Sequence, residues 1–298
     1  MNWKNIIDKF DFKVEHVGFE KEIKSTRMTR TGLELSGYFS LETINACILW
    51  GKEEFNYLET FDLNTKIKKV ENIFKLAPPV VILSRSFAPT HWLINLATIY
   101  NITIISTSLS SSDINTRINL FLSESLSKSI TIHGNLLEIY GQGVMIIGES
   151  GMGKSETTIE LVKDGHLFIA DDAIECKKIF DKVMGSPSPI AKGFMEVRGL
   201  GIIDVARLFG IEKIKESTHI DVIIELVEFK PNIHNFERLG KDLQYKEIHG
   251  IKIPYYLVPV TSGKKISDLI EVIVANLKLI QSGYNSFNEF IQKSKEIK

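Results

Sequence analysis

A chain of 298 residues, 44% hydrophobic and 24% charged, has enough apolar content for two globular cores at roughly 150 residues per domain. Its formal net charge of −1 excludes the basic footprint of a nucleic-acid binder, so the expected target is a small molecule or another protein. Cys47 and Cys176 are too few and too far apart for a disulfide framework or a zinc site. No apolar run approaches the ~18 residues of a membrane span, and residues 1–5 lack the pattern of a secretory signal, so the expectation is a cytoplasmic protein without membrane contact.

In chain order, the first clear unit spans residues 78–107. Val80, Val81 and Ile82 read as a strand buried on both faces. Pro89 suits the first turn of a helix reaching about Tyr100, and residues 102–105 read as a second strand, which makes a βαβ unit. A serine-rich turn over 106–112 and a helix over 114–126 follow. The polar passage over 127–131 then marks a boundary, predicting an N-terminal α/β domain over 1–128 and a second domain over 129–298.

The second half opens with an alternating apolar stretch over 136–140, a turn at Gly141-Gln142-Gly143 and a short apolar strand over 144–147. A helix over 156–163 ends before Gly165, and another apolar strand over 167–170 runs into Asp171-Asp172. Gly185-Ser186-Pro187-Ser188-Pro189 predicts a mobile loop across 181–193. Ile266, Leu269, Ile270, Ile273, Val274, Leu277 and Ile280 recur at helical spacing as a core-facing stripe. Gly283 breaks that helix before a second one over 287–293.

Between the 144–147 strand and the following helix lie Gly148, Glu149, Ser150, Gly151, Met152, Gly153, Lys154 and Ser155, which fit the P-loop pattern G-x-x-x-x-G-K-[ST]. The glycines let backbone N–H groups face a phosphate chain, and the next helix adds its positive end. Lys154 then reaches the β- and γ-phosphates, while the Ser155 hydroxyl suits Mg²⁺. Asp171-Asp172 follows its strand as a metal-associated Walker B carboxylate does. If the two strands flank one helix, their ends lie side by side and bring the carboxylates to the phosphates. One of the two aspartates can equally be a solvated strand end. His133, alone, reads as a surface or structural histidine, and Arg238 as a surface charge or as a partner for transferring phosphoryl oxygens. Spacing does not choose between these readings. It also leaves open a P-loop enzyme acting on a small molecule and a nucleotide-gated binding module.

The segments together are similar to bifunctional HPr kinase/phosphorylase, a family of bacterial regulators of carbon metabolism. The resemblance lies in His133-Gly134, Tyr140-Gly141-Gln142-Gly143-Val144, residues 148–156, Gly165-His166, Ala170-Asp171-Asp172, the run from Glu196 to Asp204, and Phe236-Glu237-Arg238-Leu239-Gly240. It covers residues 130–285 well and the first half loosely. It implies phosphorylation of a regulatory serine on the phosphocarrier protein HPr from ATP or pyrophosphate, and reversal by phosphorolysis that yields pyrophosphate, in control of carbon catabolite regulation and sugar uptake. It implies Mg²⁺ on Ser155 and Glu196, Lys154 on the phosphate chain, and Asp172 as base toward the serine hydroxyl and acid in the reverse direction. His133 and Arg238 match the remaining active-site positions. It also implies a P-loop kinase domain related to phosphoenolpyruvate carboxykinase, a homohexamer, and C-terminal helices that help to dock HPr. Two departures stand out. Glu149 replaces the usual aspartate, and in Pro259-Val260-Thr261-Ser262-Gly263-Lys264 only Lys264 is basic, where the family usually has two basic residues. The second departure predicts a weaker reverse reaction.

Overall fold

The computed structural model of the chain describes residues 1–39, 45–229, 243–261, 263 and 265–296. They form two units, Met1–Ser127 and Lys128–Lys298, and both are α/β. In the first, the order is α1 (Trp3–Phe10), β1 (Lys13–His16), β2 (Met28–Thr29), α2 (Gly32–Ser36), β3 (Cys47–Trp50), α3 (Lys52–Glu59), α4 (Leu63–Phe74), β4 (Val81–Leu83), α5 (His91–Tyr100), β5 (Ile104–Ser106) and α6 (Ser111–Leu126). The sheet order is β1-β5-β4-β3-β2, with β1 antiparallel to β5 and the other pairs parallel. Strand period two divides the core. Ile48, Trp50, Val81 and Leu83 pack with Phe74 and Leu93, whereas Cys47, Leu49, Val80 and Ile82 pack with Ile6, Ile114 and Ile118. A sheet buried on both faces needs such continuous apolar runs. The expected βαβ unit is β4-α5-β5, with Val81 opposite Ile104.

The second unit contains β6 (Ser129–His133), β7 (Asn135–Ile139), β8 (Gln142–Gly148), α7 (Lys154–Lys163), β9 (Leu167–Ala170), β10 (Ala173–Ile179), β11 (Lys182–Pro187), β12 (Phe194–Val197), β13 (Gly201–Asp204), α8 (Val205–Phe209), β14 (Thr218–His219), β15 (Val222–Glu228), β16 (Gln244–Ile248), β17 (Ile251–Val260), α9 (Ile266–Gln281) and α10 (Ser286–Glu296). A six-stranded sheet runs β16-β17-β15-β8-β7-β9, a four-stranded sheet runs β14-β11-β10-β6, and β12-β13 is a separate hairpin. Helix α9 buries Ile270, Val274 and Leu277 in a core shared with Leu161 of α7 and with Val144 and Ile146 of β8. Ser267 Oγ donates to Glu160 Oε2 at 2.7 Å and ties the two helices together.

Three expectations are corrected. The strands carrying the P-loop and the aspartate pair are not neighbours, because β7 lies between β8 and β9 and runs antiparallel to both. The first half of the loop expected over 181–193 is β11, in which Val183, Gly185 and Pro187 are buried alternately while pairing with β10. The turn-forming residues hid that alternation. Pro187 ends the strand, where a missing N–H costs little. Leu269 of the helical stripe is 41% exposed, since it lies off the face that meets α7.

Candidate active site

The site forms where the chain twice crosses between the two sheets of the second unit. Strand β6 of the four-stranded sheet passes through Gly134 into β7 of the six-stranded sheet. Strand β9 of the six-stranded sheet passes through Asp171-Asp172 into β10 of the four-stranded one. Because β6 and β10 pair, with His133 opposite Ala173, the two corners lie together, and Gly134 N–H donates to Asp172 O at 3.1 Å. Gly134 has no room for a side chain: a Cβ there would sit 2.6 Å from Ile146 O.

At the second corner Ala173 N–H donates back to Asp171 O at 2.7 Å, which forces Asp172 between them to φ 64°. Such tight turns are rare and strained for a residue with a side chain, and strain of this kind collects at functional sites. The two aspartates therefore part. Asp171 is 6% exposed, whereas the Asp172 carboxylate is open to solvent, with Oδ1 3.0 Å from His133 Nδ1.

Asp171 is the hub of the interior side. Its Oδ1 accepts from Asn135 Nδ2 at 2.7 Å and from Ser155 Oγ at 3.2 Å, and its Oδ2 accepts from Glu196 N–H at 2.9 Å. Burial pushes its pKa above the usual carboxylate value, and the charge of Asp172 adds to that, while the three hydrogen bonds oppose it. The Glu196 amide bond fastens the β12-β13 hairpin to the end of β9. Asn135 also donates to Thr158 Oγ1 at 2.8 Å. Fully buried at the start of β7, it spans the gap that the inserted strand opens between helix α7 and Asp171.

On the other side, the P-loop follows β8. Gly148 has φ 144°, and a Cβ there would lie 2.5 Å from Leu226 O of β15, so only glycine lets the loop leave the sheet at this point. Met152 packs on the core beneath. Lys154 opens α7, is 9% exposed, and donates from Nζ to Gly148 O at 2.8 Å and Glu149 O at 3.1 Å. Its ammonium thus spans the loop from inside. His133, Ser150, Lys154, Ser155, Asp172 and Glu196 all line one cleft of about 160 Å³, together with Asn135, Glu156, Asp171, Arg198 and two loop glycines. A phosphate-sized anion in that cleft would meet the N-terminal end of α7 on one side and carboxylates on the other.

Two family models match the chain: the HPr Serine kinase C-terminal domain over residues 124–294, and the HPr Serine kinase N terminus over residues 1–122. A protein of Malacoplasma penetrans named HPr kinase/phosphorylase is 58% identical over 297 residues, 99% of each chain. The chain belongs to the HPr kinase/phosphorylase family.

A relative of the same name from Mycoplasma genitalium is 40% identical over 269 residues, covering 90% of this chain and 86% of that one. The solved structure of the Hpr(Ser) kinase/phosphatase from Coxiella burnetii is 33% identical, with a TM-score of 0.48, over 51% of this chain and 99% of that one.

Of the residues singled out in the sequence, Ser150, Gly151, Gly153, Lys154, Ser155, His133, Asp172 and Glu196 converge on the cleft. Gly148, Glu149 and Met152 shape the loop without lining it. Arg238, Ser262 and Lys264 lie outside the described residues. His166 stands apart from the cleft: it is buried, with Nε2 2.7 Å from Glu271 Oε1 of α9. The sequence pattern does not mark Asn135. Its role depends on β7 separating β8 from β9, which no local pattern signals.

Proposed function

We propose that this chain transfers the γ-phosphoryl group of ATP to a serine hydroxyl of HPr and reverses the transfer with inorganic phosphate. The observation that supports it is the single cleft in which a P-loop faces an exposed carboxylate, Asp172, held at 3.0 Å by His133.

The P-loop amides and Lys154 hold the phosphate chain, with α7 directing its positive end at it. In the forward direction the serine O–H proton passes to an Asp172 oxygen as the serine oxygen attacks phosphorus and the bond to the leaving phosphate oxygen breaks. His133 keeps the Asp172 carboxylate turned toward the cleft. In reverse, protonated Asp172 returns the proton to the serine oxygen as phosphate attacks phosphoserine, leaving pyrophosphate. Asp171, buried and occupied by three donors, serves as a scaffold that positions Ser155 and Glu196.

The donor set suits Mg²⁺, a hard cation that takes oxygen ligands: the Ser155 hydroxyl and the Glu196 carboxylate line the same cleft, and Asp171 accepts a hydrogen bond from Ser155. Bound by Ser155 and Glu196, it would neutralise phosphate charge during transfer. Pyrophosphate serves as an alternative donor on the same P-loop, and Arg238 completes the charge set on the transferring group.

Homohexameric assembly and a cytoplasmic location belong to the same reading. Among the described residues no helix is long and apolar enough to cross a membrane. Exposed Val272 and Phe290, at 63% and 70%, give α9 and α10 an apolar surface suited to docking HPr. Thr261 stands where a basic residue would assist phosphorolysis, so Thr261→Arg raises the reverse rate several-fold more than the forward rate; an equal rise in both removes that role.

The test is to mix the purified chain with labelled ATP, Mg²⁺ and either HPr or an HPr in which the target serine is alanine. Label on normal HPr alone supports the reading. Label on neither, with nucleotide still bound, overturns it in favour of a small-molecule kinase or a gated binder.

A further inference from the structure

A second polar cleft, of about 430 Å³, lies in the first unit. Arg30, Lys52 and Arg85 line it together with Glu53 and the serines that begin α6, Ser110 to Ser112. Each basic residue stands just past the carboxyl end of a parallel strand: Arg30 after β2, Lys52 after β3, Arg85 after β4. The chain also changes faces here. Leu93 of α5 packs in one core and Ile114 of α6 in the other, so β5 leads from one side of the sheet to the opposite side. Open α/β sheets take their ligands in the crevice outside the carboxyl ends of the strands.

The charges in the cleft are not equivalent. Arg30 is held by Glu54, with Nε to Oε1 at 2.9 Å and Nη2 to Oε2 at 2.8 Å. Glu54 is 4% exposed and also accepts from Gly51 N–H at 2.8 Å. That pair is structural and fixes the start of α3; the Glu53 carboxylate also acts on Arg30. Lys52 and Arg85 are exposed and have no ion pair among the described residues.

Arg85 and Ser86 both adopt left-handed backbone, φ 56° and 53°. Their amides donate to Leu109 O at 2.9 Å and Thr107 O at 2.8 Å, which holds the Arg85 loop against the segment leading into α6. Ser84, fully buried, bonds Ser111 through the hydroxyls at 2.9 Å. The backbone is thus fixed on three sides of a space that two unpaired cations enter.

We propose that this cleft binds the phosphate group of a small anionic metabolite, with Lys52 and Arg85 neutralising it. The hydroxyl of Ser112 and the first-turn N–H groups of α3 and α6 other than that of Asp113, which Ser110 Oγ caps at 3.2 Å, complete the donor set. Donors from separate segments suit a tetrahedral anion, whereas one guanidinium fork satisfies a planar carboxylate. The proposal is independent of the chemistry assigned to the second unit.

The test uses the full chain carrying Lys154→Ala, which weakens phosphate binding at the P-loop. Backbone hydrogen exchange is followed with inorganic phosphate, with citrate, and with chloride at equal ionic strength. Phosphate is expected to protect peptides covering residues 51–54, 85–87 and 110–113. Adding Arg85→Ala or Lys52→Ala weakens that protection at least tenfold while leaving the thermal midpoint in place, since both side chains are exposed. No protection by phosphate, or equal protection in the Arg85→Ala and Lys52→Ala chains, overturns the proposal. Protection by citrate at lower concentration than phosphate overturns the assignment of the ligand class.

Discussion

In the first unit, the carboxyl ends of β2, β3 and β4 surround a cleft with Arg30, Lys52 and Arg85. In the second, Lys154 and Ser155 follow β8, while Asp171 and Asp172 follow β9 on the far side of the same cleft. Both arrangements have the cations, hydroxyls and helix starts that hold an anion. They differ in their carboxylates. Glu54 is buried in a pair with Arg30, and the exposed Glu53 lines a cleft that holds no histidine, whereas Asp172 stands exposed with His133 Nδ1 3.0 Å away to orient it. Holding a phosphate needs only positive charge and amides; transferring one also needs a carboxylate that a neighbour holds in place to accept a proton.

That contrast can be broken first at the P-loop. Lys154→Ala removes the ammonium that spans the loop, and transfer to HPr is expected to fall by about 10³ together with nucleotide affinity. A loss confined to turnover, with affinity intact, would move Lys154 out of the binding role. A smaller effect is expected from Asn135→Leu, which deprives Asp171 and Thr158 of their shared donor. Leaving a buried acceptor unpaired costs about 1–3 kcal/mol, although Asn135 Oδ1 itself has no partner to lose. The thermal midpoint should drop and transfer should fall about tenfold. An unchanged midpoint would remove Asn135 as the link between α7 and β9.

Arg85→Ala should leave HPr phosphorylation without added effectors within about twofold of the parent, as expected of a surface substitution away from the chemistry. Smallest of all is the response of the thiols. Cys47 and Cys176 are buried, and burial pushes each pKa up to about 12. The thiolate is the disfavoured form, so neither should react with a thiol reagent at mildly alkaline pH until the chain unfolds. Rapid reaction of either in the native protein would contradict that burial.

Features that depend on neighbouring residues could be read from the sequence, and those that depend on sheet order could not. The P-loop declares itself because its glycines, lysine and serine lie within eight positions between an apolar strand and a helix. The βαβ unit of residues 81–106 was equally plain, since Val81, Ile82, Ile104 and Ile105 are apolar on both faces. Asp171 and Asp172 were visible as a pair. Which of them faces solvent was not, because a single tight turn separates them. The insertion of β7 between β8 and β9 gives Asn135 its place, and it is a matter of strand order without local trace. Strand β11 was hidden by residues of turn type that pair nonetheless. Arg30, Lys52, Arg85 and Ser112 are spread over more than eighty positions, and only the fold of the first unit brings them together.

Asp172 moves the proton, and holding the nucleotide does not depend on it. Asp172→Asn keeps the shape of the corner and removes the base, so ATP affinity and HPr phosphorylation should be measured together on that chain. ATP affinity should be unchanged, with transfer reduced by about 10²–10⁴. Transfer at the parent rate, or an equal loss in affinity and rate, would contradict it.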